Sequence, residues 1–445
     1  MTVADIKRFI RSDGFQKYFQ NTSWMFLEKF LRMGISLAVG IYVARYLNPE
    51  NFGMLNYAQG YVGMFAAFSG LGINAILVRE LVKTPDRRDI LLGTTFTIKL
   101  VGALLLILSV LFSLLFVPHG SLTNTIIIIV ATAELIKAFD VVDFYYQSRV
   151  LSKYVARVQM VQIFVTSIVK LILIFLEADV IYFAMVLLVD VSVTAIGYIY
   201  TYMGASNNRG SIFKWKFNKK LALNLLYESW PITLFVLAME IQSRIDQVML
   251  GNMIGAYEVG QYSVAFKITL AIGVIPMVMF NSFSPAITEA KKQGPEVYRN
   301  RRLNFYRLMF GIYLLVAIPT FFLSETIIVT LFGEEYEPAA VIFPFFVLRL
   351  IFSYMGLAKE VFIVNESLFK YTLTTAILGA GLNIVANYFL IPTYASKGAI
   401  IASLISFTIS GYFLDFFYHK TRENIKLLYL GIFTFWKINL KPPRK

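Results

Sequence analysis

Hydrophobic positions in this chain run together in stretches of roughly 20 residues, the length a helix needs to cross hydrocarbon. These stretches recur from Asn21 to His419 with only short breaks. They predict helices over 22–46, 53–78, 90–116, 123–146, 158–175, 182–203, 228–250, 259–288, 305–323, 341–363, 372–391 and 399–418. Runs such as Leu104 to Phe116 lack the two-residue alternation of a barrel strand, and backbone amides left open in lipid are costly, so helices are expected. The expected fold is an all-α integral membrane bundle of about twelve transmembrane helices. Composition agrees: 58% of the 445 residues are hydrophobic, more than a soluble domain can bury.

Charge then gives orientation. With the amino-terminus inside, 29 of the 41 Lys and Arg residues fall in segments on the cytoplasmic side and only Lys397 falls opposite, the asymmetry the positive-inside rule requires. Both termini are therefore expected in the cytoplasm. The basic, polar first 21 residues do not look like a cleavable signal. The net charge of +14 reports topology, and nucleic acid is not expected as a partner. The absence of cysteine excludes disulfides and thiol chemistry. Expected boundaries are a cytoplasmic segment 1–21, a six-helix lobe 22–204, a linker 205–227, a second six-helix lobe 228–418 and a basic tail 419–445. Within that tail, KLLYLGIFTFWKI is either an amphipathic surface helix or a partly ordered extension.

A weak internal repeat supports two halves. Tyr46 to Ala58 (YLNPENFGMLNYA) aligns with Met253 to Ala265 (MIGAYEVGQYSVA) through Gly53 and Gly260, 207 residues apart. Each segment joins the first helix of a half to the second.

Several motifs resemble a known family. AxRYLNPENFGMLNYA (Ala44 to Ala58) is similar to the signature after the first helix of Wzx-type polysaccharide-transport proteins, the flippases of lipid-linked oligosaccharides. GLGINAILVREL (Gly70 to Leu81), DFYYQSRVLSKYVAR (Asp143 to Arg157), SRIDQVMLGNMIGAYEVGQYSVAFKI (Ser243 to Ile268) and NIVANYFLIPTYASKGAIIAS (Asn383 to Ser403) follow in the family's order. The resemblance implies the multidrug, oligosaccharidyl-lipid and polysaccharide flippase superfamily, with two six-helix lobes in a V and alternating access. It implies a polyprenyl-diphosphate-linked oligosaccharide as substrate, membrane lipid as surroundings, and polysaccharide polymerase and chain-length regulator proteins as partners. No cofactor and no bound metal are implied.

Eleven basic residues lie within the predicted spans, where a charge is costly unless it meets a partner or a wet cavity. Lys29 and Arg32 share a helix face with Glu28, either as an ion pair that locks packing or as a cationic wall for phosphate. Glu240 and Arg244 repeat the i,i+4 spacing, with Asp246 following. Lys170, Lys267 and Arg349 lack an acid at i,i+3 or i,i+4, and need a partner helix or a hydrated lumen. Arg45 sits at a span end but inside the family-like motif. The candidate diphosphate and glycan residues are Lys29, Arg32, Arg244, Lys267 and Arg349, with Lys170 and Arg45 beside them. Asp190, Glu240 and Asp246 are the candidates for coupling to H+ or Na+.

Two rival functions differ in what they require. A cation-coupled multidrug exporter of the same superfamily needs a carboxylate-rich site, whereas these spans hold slightly more bases than acids. A membrane enzyme of polysaccharide assembly needs a sizeable outer loop, and the longest outer connection is 324–340. With only His119 and His419, near opposite ends of the bundle, a histidine metal site or Ser-His-Asp arrangement is not expected. Without a Walker-type glycine loop the chain is not expected to hydrolyse nucleotide. The expectation is a transporter without covalent chemistry.

Overall fold

The protein is described here by a computed structural model covering residues 13–117, 119–204 and 210–439, with backbone alone for 13–27. The expected amino-terminal segment and the end of the tail fall partly outside those residues. Every long element is a helix: α1 (Asp13–Met64), α2 (Ala66–Gly70), α3 (Asn74–Lys83), α4 (Arg88–Leu114), α5 (Ser121–Ile136), α6 (Val141–Ser148), α7 (Ser152–Phe175) and α8 (Val180–Gly204) come first. They are followed by α9 (Lys219–Met253), α10 (Ala256–Ile272), α11 (Val274–Gln293), α12 (Pro295–Phe322), α13 (Ser324–Phe332), α14 (Glu337–Asn365), α15 (Phe369–Thr408) and α16 (Arg422–Phe433). Among the described residues nine helical runs are long and apolar enough to cross a membrane. Two of these are broken inside, α1 at Asn48 (φ 57°) and α15 at Ala395 (φ 47°). Pro49 directly follows the first break and Pro392 lies three residues before the second, and each removes a backbone donor.

The chain divides into two compact units. The first comprises residues 1–46 and 61–240, the second 47–60 and 241–445. The first half of the helix after Asn48 thus packs with the second unit, although it is continuous in sequence with the first. The core of the first unit joins Ile73, Leu77, Leu92, Val141, Tyr146, Tyr198 and Tyr202. Residues 210–218 are docked on that unit, where Lys216 N donates to Asp89 O at 3.2 Å and Asn218 N to Thr94 Oγ1 at 3.1 Å. The approach is close because Gly93 has no side chain; a Cβ there would lie 2.6 Å from Lys216 N.

The core of the second unit joins Tyr306, Met309, Met355, Val361, Ile425 and Leu428. The tail helix α16 belongs to it: the segment read as a surface helix or a partly ordered extension is helical from Arg422 to Phe433, with its apolar face turned to protein. Asn424, Ile425, Leu427 and Leu428 are buried. Asn424 Oδ1 accepts from Arg302 Nη1 at 2.7 Å and from the Tyr306 hydroxyl at 2.8 Å.

In the second unit the two repeat segments cross reciprocally. A Cβ on Gly53 would meet Ala256 O at 1.8 Å, and a Cβ on Gly260 would meet Pro49 O at 2.0 Å. Pro49 and Ala256 are themselves 207 residues apart, like the two glycines. So are Asn48 (φ 57°) and Gly255 (φ 134°), the positive-φ residues at which each segment begins. Lipid tails offer no hydrophobic drive between helices, and small residues that let backbones approach are how membrane helices gain contact. Substituting Gly260→Ala pushes a methyl into a backbone carbonyl and should cost about 1–3 kcal/mol or more. Its thermal unfolding in detergent is expected below wild type, whereas Gly356→Ala, with open space around it, leaves the midpoint unchanged.

Candidate functional site

Asp246 is the polar centre of the second unit. It is 1% exposed, and three neutral donors from other helices converge on it. The Tyr262 hydroxyl of α10 donates to Oδ2 at 2.7 Å, and Asn387 Nδ2 of α15 donates to Oδ1 at 2.8 Å. Ser403, beyond the break in α15, donates to Oδ2. The break at Ala395 is what lets both arms of α15 face one carboxylate. Asn387 Oδ1 and Asn383 Nδ2 are buried without a hydrogen-bond partner among the described residues, so the centre keeps unused polar capacity. One helical turn before Asp246, Gln242 Nε2 donates to Ser406 Oγ at 3.2 Å.

Arg349 lies beside this centre. Its guanidinium is 5.2 Å from the Phe407 ring centroid, 5.6 Å from Phe266 and 6.0 Å from Phe346. It also interacts with the Tyr262 hydroxyl that binds Asp246. Aromatic faces hold a guanidinium by its plane and leave its edge donors to hydrogen bonds. Lys267 Nζ sits 4.1 Å from the Phe52 ring centroid in the same unit, and Arg244 is half-buried on α9. Lys359 is committed elsewhere, with Nζ 2.6 Å from Asp415 Oδ2 and 2.7 Å from Gly411 O.

The first unit has a different polar centre, a cavity of about 190 Å³ between α1, α6, α7, α8 and the turn 137–140. Arg32 and Lys137 line it, and each is tied to a carboxylate of its own helical stretch: Arg32 Nε to Glu28 Oε1 at 2.8 Å, and Lys137 Nζ to Glu134. Asp190 accepts from Gln162, Asp143 accepts from Gln147 at 3.1 Å, and Asp140 also reaches the wall. Lys170 carries no acid at helical spacing on α7, and its electrostatic partner is Asp190 of α8. Buried Lys99 lies over the Phe144 ring at 4.8 Å and interacts with Asp140 and Asp143.

With this geometry in view, the chain can be set beside known proteins. The sequence profile described as "Polysaccharide biosynthesis protein" matches residues 18–291, more than half of the chain. The chain belongs to that family. An uncharacterized membrane protein of Methanocaldococcus jannaschii is 22% identical, with 94% of this chain and 89% of the relative covered. Among solved structures, an inward-facing multidrug resistance MATE family transporter of the MOP superfamily shares the fold at TM-score 0.68 and 15% identity, covering 89% of this chain and 95% of that one. An outward-facing structure of a MATE family transporter of that superfamily aligns at TM-score 0.57 and 14% identity, over 94% and 98%. The eukaryotic MATE transporter AtDTX14 aligns at 0.51 and 12%, over 92% and 100%. This member of the polysaccharide biosynthesis family is thus a multi-pass membrane protein with a transporter fold, as the motifs implied.

The structure separates the cations that sequence reasoning had grouped. Lys29, Arg32 and Lys170 belong to the first unit and interact with Glu28, Asp143 or Asp190 there. Arg45 is exposed at the end of that unit's part of α1. Arg244, Lys267 and Arg349 belong to the second unit. Of the acids, Asp246 and Asp190 each sit in a polar centre, whereas Glu240 is half-buried at the boundary residue of the first unit and lines neither. Gln159, Gln162 and Tyr198 are cavity residues that hydropathy could not single out, because an amide or a phenol in an apolar run carries no charge signal. Asp140 and Asp143 did carry one, through their i,i+3 spacing.

Removing the Asp246 carboxylate orphans three buried donors. Asp246→Ala is expected to destabilise the purified protein by several kcal/mol, given about 1–3 kcal/mol for each donor left unsatisfied. The isosteric Asp246→Asn retains an acceptor and should unfold between Asp246→Ala and wild type.

Proposed function

We propose that the protein flips a polyprenyl-diphosphate-linked oligosaccharide from the cytoplasmic to the outer leaflet of the cytoplasmic membrane by alternating access. Membership of the polysaccharide biosynthesis family carries this reading. The intramembrane cations Arg244, Lys267 and Arg349 of the second unit support it as candidate ligands of the diphosphate, and the carboxylate Asp246 is engaged by neutral donors. Arg349 donates forked hydrogen bonds to phosphate oxygens from its aromatic setting, and Lys267 adds a point charge. The passage is twelve helices, if the two broken runs each cross twice and Ser121 to Ser148 crosses once beside the nine.

Asp246 is the coupling group in this reading. A proton or a Na+ ion on its carboxylate competes with the donors that tie α9 to α10 and to both arms of α15, so loading changes how these helices are held. Asn383, Asn387 and Ser403 supply the neutral oxygens that a small cation prefers. Transport by Asp246→Asn is expected to lose its dependence on a proton or Na+ gradient, while an unchanged dependence removes Asp246 from this role.

The cellular test is deletion of the gene in its glycan-making host. Lipid-linked repeat units are expected to accumulate on the inner leaflet and surface glycan to fall, with resistance to cationic drugs unaltered. Normal surface glycan in a host without a redundant flippase would sink the assignment, and lost drug resistance would favour export of cations. In the same host Arg349→Gln is expected to restore less than a tenth of wild-type glycan, and Arg349→Lys an intermediate amount.

A further inference from the structure

We infer that the cavity of the first unit is a subsite for one uncharged sugar ring of the glycan, and that it discriminates against acidic sugars. The inference rests on the flippase reading and adds to it which chemistry each unit recognises. Three observations carry it.

The first is charge balance. Around the cavity stand five bases, Lys29, Arg32, Lys99, Lys137 and Lys170, and five carboxylates, Glu28, Glu134, Asp140, Asp143 and Asp190, coupled to one another. They sum to zero. The two bases on the cavity wall are already held by Glu28 and Glu134, whereas Asp140, Asp143 and Asp190 all reach the wall. A phosphate or a uronate entering this space meets three carboxylates and finds no uncommitted positive charge on the wall. With the surrounding charge balanced, an anion gains no net attraction there and must give up water to enter.

The second is donor and acceptor chemistry. Carboxylate oxygens accept from hydroxyls, and the amides of Gln159 and Gln162 and the hydroxyls of Thr194 and Tyr198 both donate and accept. A sugar ring carries several hydroxyls that do both. Two partners are already oriented within the wall: Gln159 Nε2 donates to the Tyr198 hydroxyl at 3.4 Å, and Thr194 Oγ1 donates to Asp190 O at 2.9 Å. A drug-like cation would want an apolar pocket with a carboxylate, and Val191 is the one aliphatic residue of this lining.

The third is size. About 190 Å³ has room for about six waters at roughly 30 Å³ each. That suits one ring.

The test uses the full-length protein in nanodiscs and three probes: undecaprenyl diphosphate, the same lipid bearing one N-acetylhexosamine, and the same lipid bearing one hexuronic acid. Wild type is expected to bind the neutral glycolipid about tenfold more tightly than the bare diphosphate, and the uronate no more tightly than the bare lipid. Asp190→Asn leaves Lys170 uncompensated and makes the cavity net positive. It should lose the preference for the neutral sugar and gain affinity for the uronate, with the bare lipid unchanged. Thr194→Val, which leaves the charge balance alone, should weaken only the neutral glycolipid, and thermal unfolding of each variant confirms that it is folded. A wild type that binds the bare lipid but gains nothing from the neutral sugar overturns the cavity assignment alone. So does an Asp190→Asn variant with wild-type selectivity. Failure of wild type to bind any of the three lipids overturns the flippase reading and the subsite with it.

Discussion

A charged side chain within hydrocarbon must find an opposite charge, a set of dipoles or water, and this one constraint organises both units of the protein. The two units solve it differently. The first pairs base with acid until the sum is zero: Arg32 with Glu28, Lys137 with Glu134, Lys170 with Asp190, and Lys99 with Asp140 and Asp143. The second surrounds its central carboxylate, Asp246, with neutral donors, lays Lys267 and Arg349 on aromatic rings, and pairs Lys359 with Asp415. The outcome in the first unit is a neutral hydrogen-bonding cavity.

Backbone geometry serves that arrangement. The break in α15 at Ala395 turns one long helix into two arms that share Asp246. The break in α1 at Asn48 sends residues 49–60 into the second unit, where Gly53 and Gly260 permit the reciprocal crossing with the segment after Gly255. Because each glycine meets a backbone atom of the other segment, the crossing is held by close approach and has little tolerance for intermediate positions.

The membrane character and the family were legible in the sequence, because runs of apolar residues and the motif order from Ala44 to Ser403 are linear signals. The Glu28 to Arg32 pair was also legible, since i,i+4 spacing places both groups on one face. Pairings between helices were not. Nothing in the neighbourhood of Lys170 announces Asp190, and nothing near Asp246 announces Asn387 or Ser403, which arrive from 141 and 157 residues away. Hydropathy ends one span at residue 46 and begins the next at 53, but it cannot see that residues 47–60 pack with the second unit.

The central claim is movement of a lipid-linked oligosaccharide, and it is tested most directly by reconstitution. The purified protein would be placed in vesicles containing undecaprenyl-diphosphate-linked oligosaccharide confined to one leaflet, and appearance of the glycan in the other leaflet followed with a membrane-impermeant glycosidase or lectin. The account predicts transfer many times faster than in protein-free vesicles, lost in Arg349→Gln while the variant remains folded. Transfer no faster than in protein-free vesicles, under either sign of proton or Na+ gradient, would contradict it.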